Sequence, residues 1–173
     1  MRSMMKILFV LAALVLPGLI QAGNLDVELH CIPRKASEKV NAGSGPGGKA
    51  IAKENWVYDV TIENKTFKDM ANVEIKYVIF FTQEHLGKKQ GPEAERQTGT
   101  ISLPALRSHE KKALTTDAVE LQKSHLVGAY YYPSGAKPNA QGTLTGLWVR
   151  VYQNGQQFAE YANPSTLMRE KWE

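Results

Sequence analysis

From Asn55 onward the chain alternates apolar and polar residues with a period of two, and this alternation restricts the fold more than any other feature of the sequence. Trp56, Tyr58, Val60 and Ile62 fall on one face while Asp59, Thr61 and Glu63 fall on the other, the pattern of a strand buried on one side. A helix would scatter both sets around its circumference. After a turn at Asn64-Lys65-Thr66, with Phe67 and Met70 expected to plug the end, Val73, Ile75, Tyr77, Ile79 and Phe81 resume the alternation. Val78 and Phe80 make the second half of this strand apolar on both faces, which places it centrally or beneath another segment.

Weaker patterns flank this pair. Residues 25 to 32 alternate and are expected to end at Pro33. Residues 34–54 are charged and then glycine-rich, a composition that buries too little apolar surface to offset its ordering entropy, so a long mobile loop is expected there. Strands are expected over 98–103 and over 112–121, an apolar and aromatic segment over 126–132, and a loop over 133–139. Residues 144–153 and 156–161 flank Asn154-Gly155, a pair suited to a two-residue hairpin turn in which both positions need positive φ. That turn sets Gln153 opposite Gln156, and the same register predicts Val151 opposite Phe158, Leu147 opposite Ala162 and Trp148 opposite Tyr161. Asn163-Pro164 reads as an N-cap followed by proline at the first position of a short helix over 165–172 that packs through Leu167, Met168 or Trp172. With many short strands, no long helix and no βαβ alternation, the expected fold is all-β: a two-sheet antiparallel immunoglobulin-like sandwich of about 7–8 strands.

The first 22 residues hold Arg2 and Lys6, an apolar run from Ile7 to Leu16, a Pro17-Gly18 break and Gln21-Ala22, the layout of a cleavable secretion signal. The run falls short of the roughly 20 residues a bilayer crossing needs. A signal peptide over 1–22 and a single domain over 23–173 are therefore expected, in a periplasmic or secreted location. Loss of Arg2 and Lys6 takes the formal charge of +4 down by two, too little for a nucleic-acid surface. Cys31 is the only cysteine; between Leu29-His30 and Ile32 it reads as a small buried hydrophobe, and stability must come from packing.

Trp56 to Phe81, with Trp56 to Glu63, the Asn64-Lys65-Thr66 turn and the following Ala71-Asn72-Val73-Glu74-Ile75-Lys76-Tyr77-Val78-Ile79, resembles the B and C strands of bacterial extracytoplasmic immunoglobulin-like or fibronectin-type-III-like modules. The resemblance covers about a sixth of the chain and implies service in adhesion, assembly or accessory binding. The paired cysteines of antibody domains are missing.

Catalytic patterns are weak. Residues 43–50 approach a phosphate-binding loop, but Ala50 stands where a hydroxyl would hold magnesium, and no helix pattern follows. His30, His85, His109 and His125 lie far apart in sequence without ligand spacing, so no metal or other cofactor is expected. Glu54, Asp59, Glu93, Glu95 and Asp117 are carboxylates whose separation the sequence does not set. The remaining candidate surface is aromatic: Tyr130, Tyr132, Trp148, Arg150, Tyr152 and Tyr161. Such a stripe serves partners or sugars when exposed, and hairpin stability when covered. The expectation is a non-enzymatic exported module that binds a protein partner or joins a surface assembly; a carbohydrate-binding accessory module is the alternative and a hydrolase the third reading.

Overall fold

In the computed structural model, which describes residues 26–43, 45, 47–87, 91–128, 131, 135 and 138–172, the alternating segments become two facing antiparallel sheets. The signal segment expected over 1–22 and the candidates Tyr130 and Tyr132 lie outside the described residues. Strands β1 (Val27–Asn41), β2 (Lys49–Asn64), β6 (Val119–Leu126) and β7 (Asn139–Gln141) form the first sheet in that order, with β5 (Lys111–Thr115) also pairing β2. The second sheet runs β4 (Glu93–Leu106), β3 (Met70–Gln83), β8 (Thr143–Gln153), β9 (Gln156–Asn163). The fold is a β-sandwich. Its described strands number nine, one or two more than expected: the 112–121 run is divided between β5 and β6, and the short β7 begins at the end of the expected loop over 133–139.

That division has a side-chain cause. Thr116 is buried between the two strands; its N–H donates to the Tyr58 carbonyl and its Oγ1 accepts from the Tyr58 N–H. One threonine thus supplies both hydrogen bonds that an unbroken strand would have given Tyr58. The same geometry explains why β1 continues past Pro33. Tyr58, opposite Pro33, spends its backbone groups on Thr116, so the proline's missing N–H faces the open edge, where it costs no ladder bond.

Between the sheets, Val60 and Ile62 of β2 meet Ile75, Tyr77 and Ile79 of β3 and Leu147, Val149 and Val151 of β8. All are fully buried, and each such apolar side chain contributes about 1.5–3 kcal/mol on leaving water. Tyr77 extends across Gly99 of β4, where any side chain would collide with its ring, and its hydroxyl donates to Asp117 Oδ2 while accepting the Asp117 N–H, both at 2.8 Å. Gln83 joins the two layers at the other end of β3. Its amide acts as a spare peptide group toward Gln122, donating to the carbonyl and accepting from the N–H at 3.0 Å each.

Four expectations are corrected. Residues 34–41 and 49–54 are strand, not loop: β1 and β2 pair from Val27↔Asn64 to Asn41↔Ile51 across a bulge between Lys35 and Ser37. Backbone pairing supplies the order that the composition of this stretch does not, and the connection shrinks to residues 42–48. Met70 is buried, but Phe67 points outward at 89% exposure with its ring edge against His109, because the turn is closed by Asn64 and not by an apolar plug. Asn163 does not cap a helix: it is still paired with Leu147, Pro164 occupies the N-cap position without a side-chain cap bond, and a 3-10 helix covers Ser165–Arg169.

The fourth correction concerns the last hairpin. Asn154 and Gly155 adopt φ of 49° and 81°, and Gln153↔Gln156 and Tyr152↔Gln157 pair as the turn predicts. A bulge follows. Val151 pairs with Ala159 instead of Phe158, Trp148 with Ala162 instead of Tyr161, and Leu147 with Asn163 instead of Ala162. In the unbulged register Glu160 would lie opposite Val149 and carry its charge into the core. The extra residue, Phe158, exchanges the faces of everything beyond it, so that Ala159 and Tyr161 turn inward and Glu160 meets Arg150 on the outer face.

Candidate functional site

The bulge decides what becomes of the aromatic stripe. Tyr161 leaves it and packs against the core, where burial pushes its hydroxyl pKa up. Tyr152 stays on the outer face with Lys76 Nζ 5.1 Å from its ring centre. Trp148 and Arg150 come together with Glu160, whose Oε1 accepts from Trp148 Nε1 and from Arg150 Nε, each at 2.8 Å. Trp148 is not a platform: it is 1% exposed.

The cover is the chain's own C-terminal strap, residues 164–172. Trp172 sets its ring edge-on to Trp148 with centroids 4.8 Å apart, and the Arg150 guanidinium lies 4.5 Å from the Trp148 ring centre and 4.3 Å from that of Trp172. At the other end of the strap, Gly146 lets the chain lie close on β8, since any side chain there would strike Asn163, Pro164 and Leu167. Arg96 donates to the Lys171 carbonyl at 3.2 Å. Between these anchors an open groove of 600 Å³ runs along Phe80, Ala94, Arg96, Leu167 and Lys171.

A second site escaped the sequence reading. On the inward face of the first sheet, near the start of β8, a cup of 240 Å³ is lined by Pro33, Trp56, Leu121 and Leu144, with Glu54 and Lys123 as its charged groups. Glu54 is 3% exposed. Its Oε1 accepts from Lys123 Nζ at 2.8 Å and from Lys35 Nζ at 3.5 Å, and its Oε2 accepts from Trp56 Nε1 at 2.9 Å. The Lys123 hydrogen bond holds the carboxyl below the usual carboxylate range against the opposing effect of burial, with Trp56 and Lys35 helping. Lys35 is engaged mainly by Glu38, 2.7 Å away, which raises the lysine's pKa. Glu54 and Trp56 are two residues apart on a strand and so share a face; that spacing was readable, but assigning 34–54 to a loop removed Glu54 from any strand.

Among the described residues no three His, Cys, Asp or Glu side chains gather in a way that would hold a metal ion. Cys31 is buried, and burial pushes its thiol pKa up to about 12, the opposite of what a reactive thiolate needs.

No protein-family model matches the chain, and no curated protein matches it. Among solved structures, a crystal structure from Akkermansia muciniphila is similar over 87% of this chain and 78% of that one, at 13% identity and a TM-score of 0.33.

Proposed function

We propose that the chain is a non-enzymatic, immunoglobulin-like module that works outside the cytoplasm and binds a protein partner through the outer face of its second sheet. One observation carries the reading: Arg150, Trp148 and Trp172 pack on one another, the guanidinium 4.5 and 4.3 Å from the two ring centres and the rings 4.8 Å apart, so this face already holds a peptide segment, the chain's own, with an aromatic side chain as its closing contact. A guanidinium stacked on an indole contributes on the order of 0.5–2 kcal/mol, and tryptophan and arginine are the residue types that dominate interface energies. The strap's 3-10 helix buries no residue of its own. A partner segment carrying an aromatic ring can therefore take the place of Trp172 and run along the groove beside Phe80 and Arg96. The signal-like layout of residues 1–22 and the strand resemblance at residues 56–81 support the compartment and the immunoglobulin-like type. A sugar platform at Trp148 and Tyr152 has no support, since Trp148 is covered.

The test uses the chain lacking residues 164–173 and a synthetic peptide of that sequence. The truncated chain is expected to bind the peptide in trans by calorimetry, to lose that binding in Arg150→Ala, and to capture from the extracytoplasmic fraction a protein that the peptide releases. A truncated chain that keeps its β-sheet circular dichroism but neither binds the peptide nor captures a protein the peptide displaces would refute the proposal.

A further inference from the structure

The cup at Glu54 goes beyond partner binding, and its chemistry points to a particular kind of ligand. The carboxylate is held ionised by Lys123, Lys35 and Trp56 Nε1. Of its roughly four acceptor positions three are taken, which leaves one on Oε2. Lys123 donates to Glu54 alone among the described residues and is half-exposed, so two of its three N–H groups remain for a ligand. The cup thus offers a charged acceptor and a charged donor side by side, 2.8 Å apart. An anion entering it would meet a fixed carboxylate, and a cation would meet two lysines.

What fits is a neutral group that both donates and accepts at two adjacent atoms, as neighbouring ring hydroxyls do: one donates to Glu54 Oε2, the next accepts from Lys123. Trp56, Pro33, Leu121 and Leu144 give the cup an apolar wall for the C–H face of a ring, and Gln141, Gly142 and Thr143 complete the lining with polar groups. A volume of 240 Å³ corresponds to roughly eight waters at about 30 Å³ each, room for one ring and not for a chain of them. We infer that the Glu54–Trp56–Lys123 cup binds one pyranose ring of a neutral saccharide through a pair of adjacent hydroxyls, with the ring's apolar face toward Trp56.

The test is a titration of the mature chain with glucose, galactose, mannose and N-acetylglucosamine, read from the indole N–H cross-peaks of Trp56, Trp148 and Trp172 in a ¹⁵N correlation spectrum, with glycerol as the control. At least one sugar is expected to shift the Trp56 peak saturably with a millimolar constant, leaving Trp148 and Trp172 in place. Lys123→Met, which also removes the main partner of Glu54 and is therefore checked for folding by circular dichroism, is expected to weaken binding about tenfold or more, the effect of losing a charge-assisted hydrogen bond. Glu54→Gln keeps the shape and is expected to weaken it as well. The inference is overturned if no sugar moves the Trp56 peak at concentrations that saturate a millimolar site, if glycerol moves it equally, or if Lys123→Met binds as the parent does.

Discussion

Asn64 is fully buried at the end of β2, and removing its side chain tests how the turn that carries Phe67 is held. Its Nδ2 donates to the carbonyls of Lys68, Arg107 and Leu106 at 2.8, 3.0 and 3.3 Å, and its Oδ1 accepts from the Thr66 N–H and Oγ1 at 2.9 and 2.8 Å. Both amide hydrogens and both acceptor sites are in use, and the residue joins the β2–β3 turn to the end of β4. At about 1 kcal/mol net for each hydrogen bond, and more where a buried group is left unpaired, Asn64→Ala is expected to cost roughly 3–5 kcal/mol. A domain of this size loses about 2–4 °C of Tm per kcal/mol, so the melt moves down by roughly 6–20 °C. Asn64→Asp gives the sharper result. It keeps the acceptor for Thr66 but turns a carboxylate oxygen toward three carbonyls, so its folded-state pKa must rise above the unfolded value of about 3.9. The acid form is then favoured in the fold: the variant's deficit relative to the parent is smallest below pH 4 and grows as pH rises through that raised pKa. Urea denaturation followed by tryptophan fluorescence at pH 3.5 and pH 7 measures both variants. A loss below about 1 kcal/mol for the alanine variant, or an aspartate variant no better in acid, would refute the account.

Three further predictions rest on individual groups. Burial pushes the hydroxyls of Tyr58 and Tyr77 up to about 12; above pH 10 the unfolded chain releases these protons while the folded chain keeps them, so stability is expected to fall between pH 10 and 12 by about 2–3 kcal/mol per tyrosine, and Tyr77→Phe should flatten part of that slope in alkaline urea melts. The Cys31 thiol, raised to about 12 by burial, is expected to resist a disulfide-exchange reagent at pH 8 in the native chain and to react within the dead time in denaturant; rapid native labelling would contradict its placement. Glu54, whose carboxyl Lys123 holds below its ordinary value, adds stability that is present above the unfolded value and lost as pH falls through the lower folded one, so Glu54→Gln should remove the acid-side part of the parent's stability profile below pH 4.5.

The alternation from Trp56 to Phe81 was enough to foresee β3 and β2 from Asn55 onward, because side-chain burial on a pleated strand is a local property, and the number of such short segments without helices between them pointed to two sheets. Where pairing was decided at a distance, local reading failed. Residues 34–41 look unable to order themselves, and are ordered by β2. Lys112 to Leu121 looks like one strand, and is interrupted because Thr116 answers Tyr58 across the sheet. The final hairpin shows the limit most clearly: the Asn-Gly turn was right, yet the register changed two pairs later because Glu160 could not face Val149. Of the six aromatic-stripe residues, the sequence grouped Trp148 with Arg150 correctly, and offered Trp172 as one of three residues by which the terminal segment would pack without indicating the surface it packs on. Tyr161 was assigned to the wrong face for the same reason that the register slipped. Glu54 and Trp56 were legible as same-face neighbours; their third member, Lys123, comes from a strand 67 residues after Trp56 and was not.

The two tryptophan clusters use the same chemistry to opposite ends. In each, an indole N–H and a basic side chain converge on one carboxylate: Trp148 and Arg150 on Glu160, Trp56 and Lys123 on Glu54. Deep between the sheets such a trio would be costly, because removing ions from water takes several kcal/mol each unless every lone pair is answered. Both lie where the double layer gives out. One is on the outer face of the second sheet; the other is where residues 37–41 of β1 and 49–54 of β2 pair with each other and with β6 while β1 is left exposed. Their difference is one ring. Trp172 closes the first cluster, and a partner's ring can reach Trp148 only by displacing the strap. Among the described residues no comparable ring covers the second, so Lys123 keeps free donors and the apolar wall stays open to a ligand that arrives without displacing them. On the two proposals, access to the first site is coupled to a movement of the C-terminus, whereas access to the second is not.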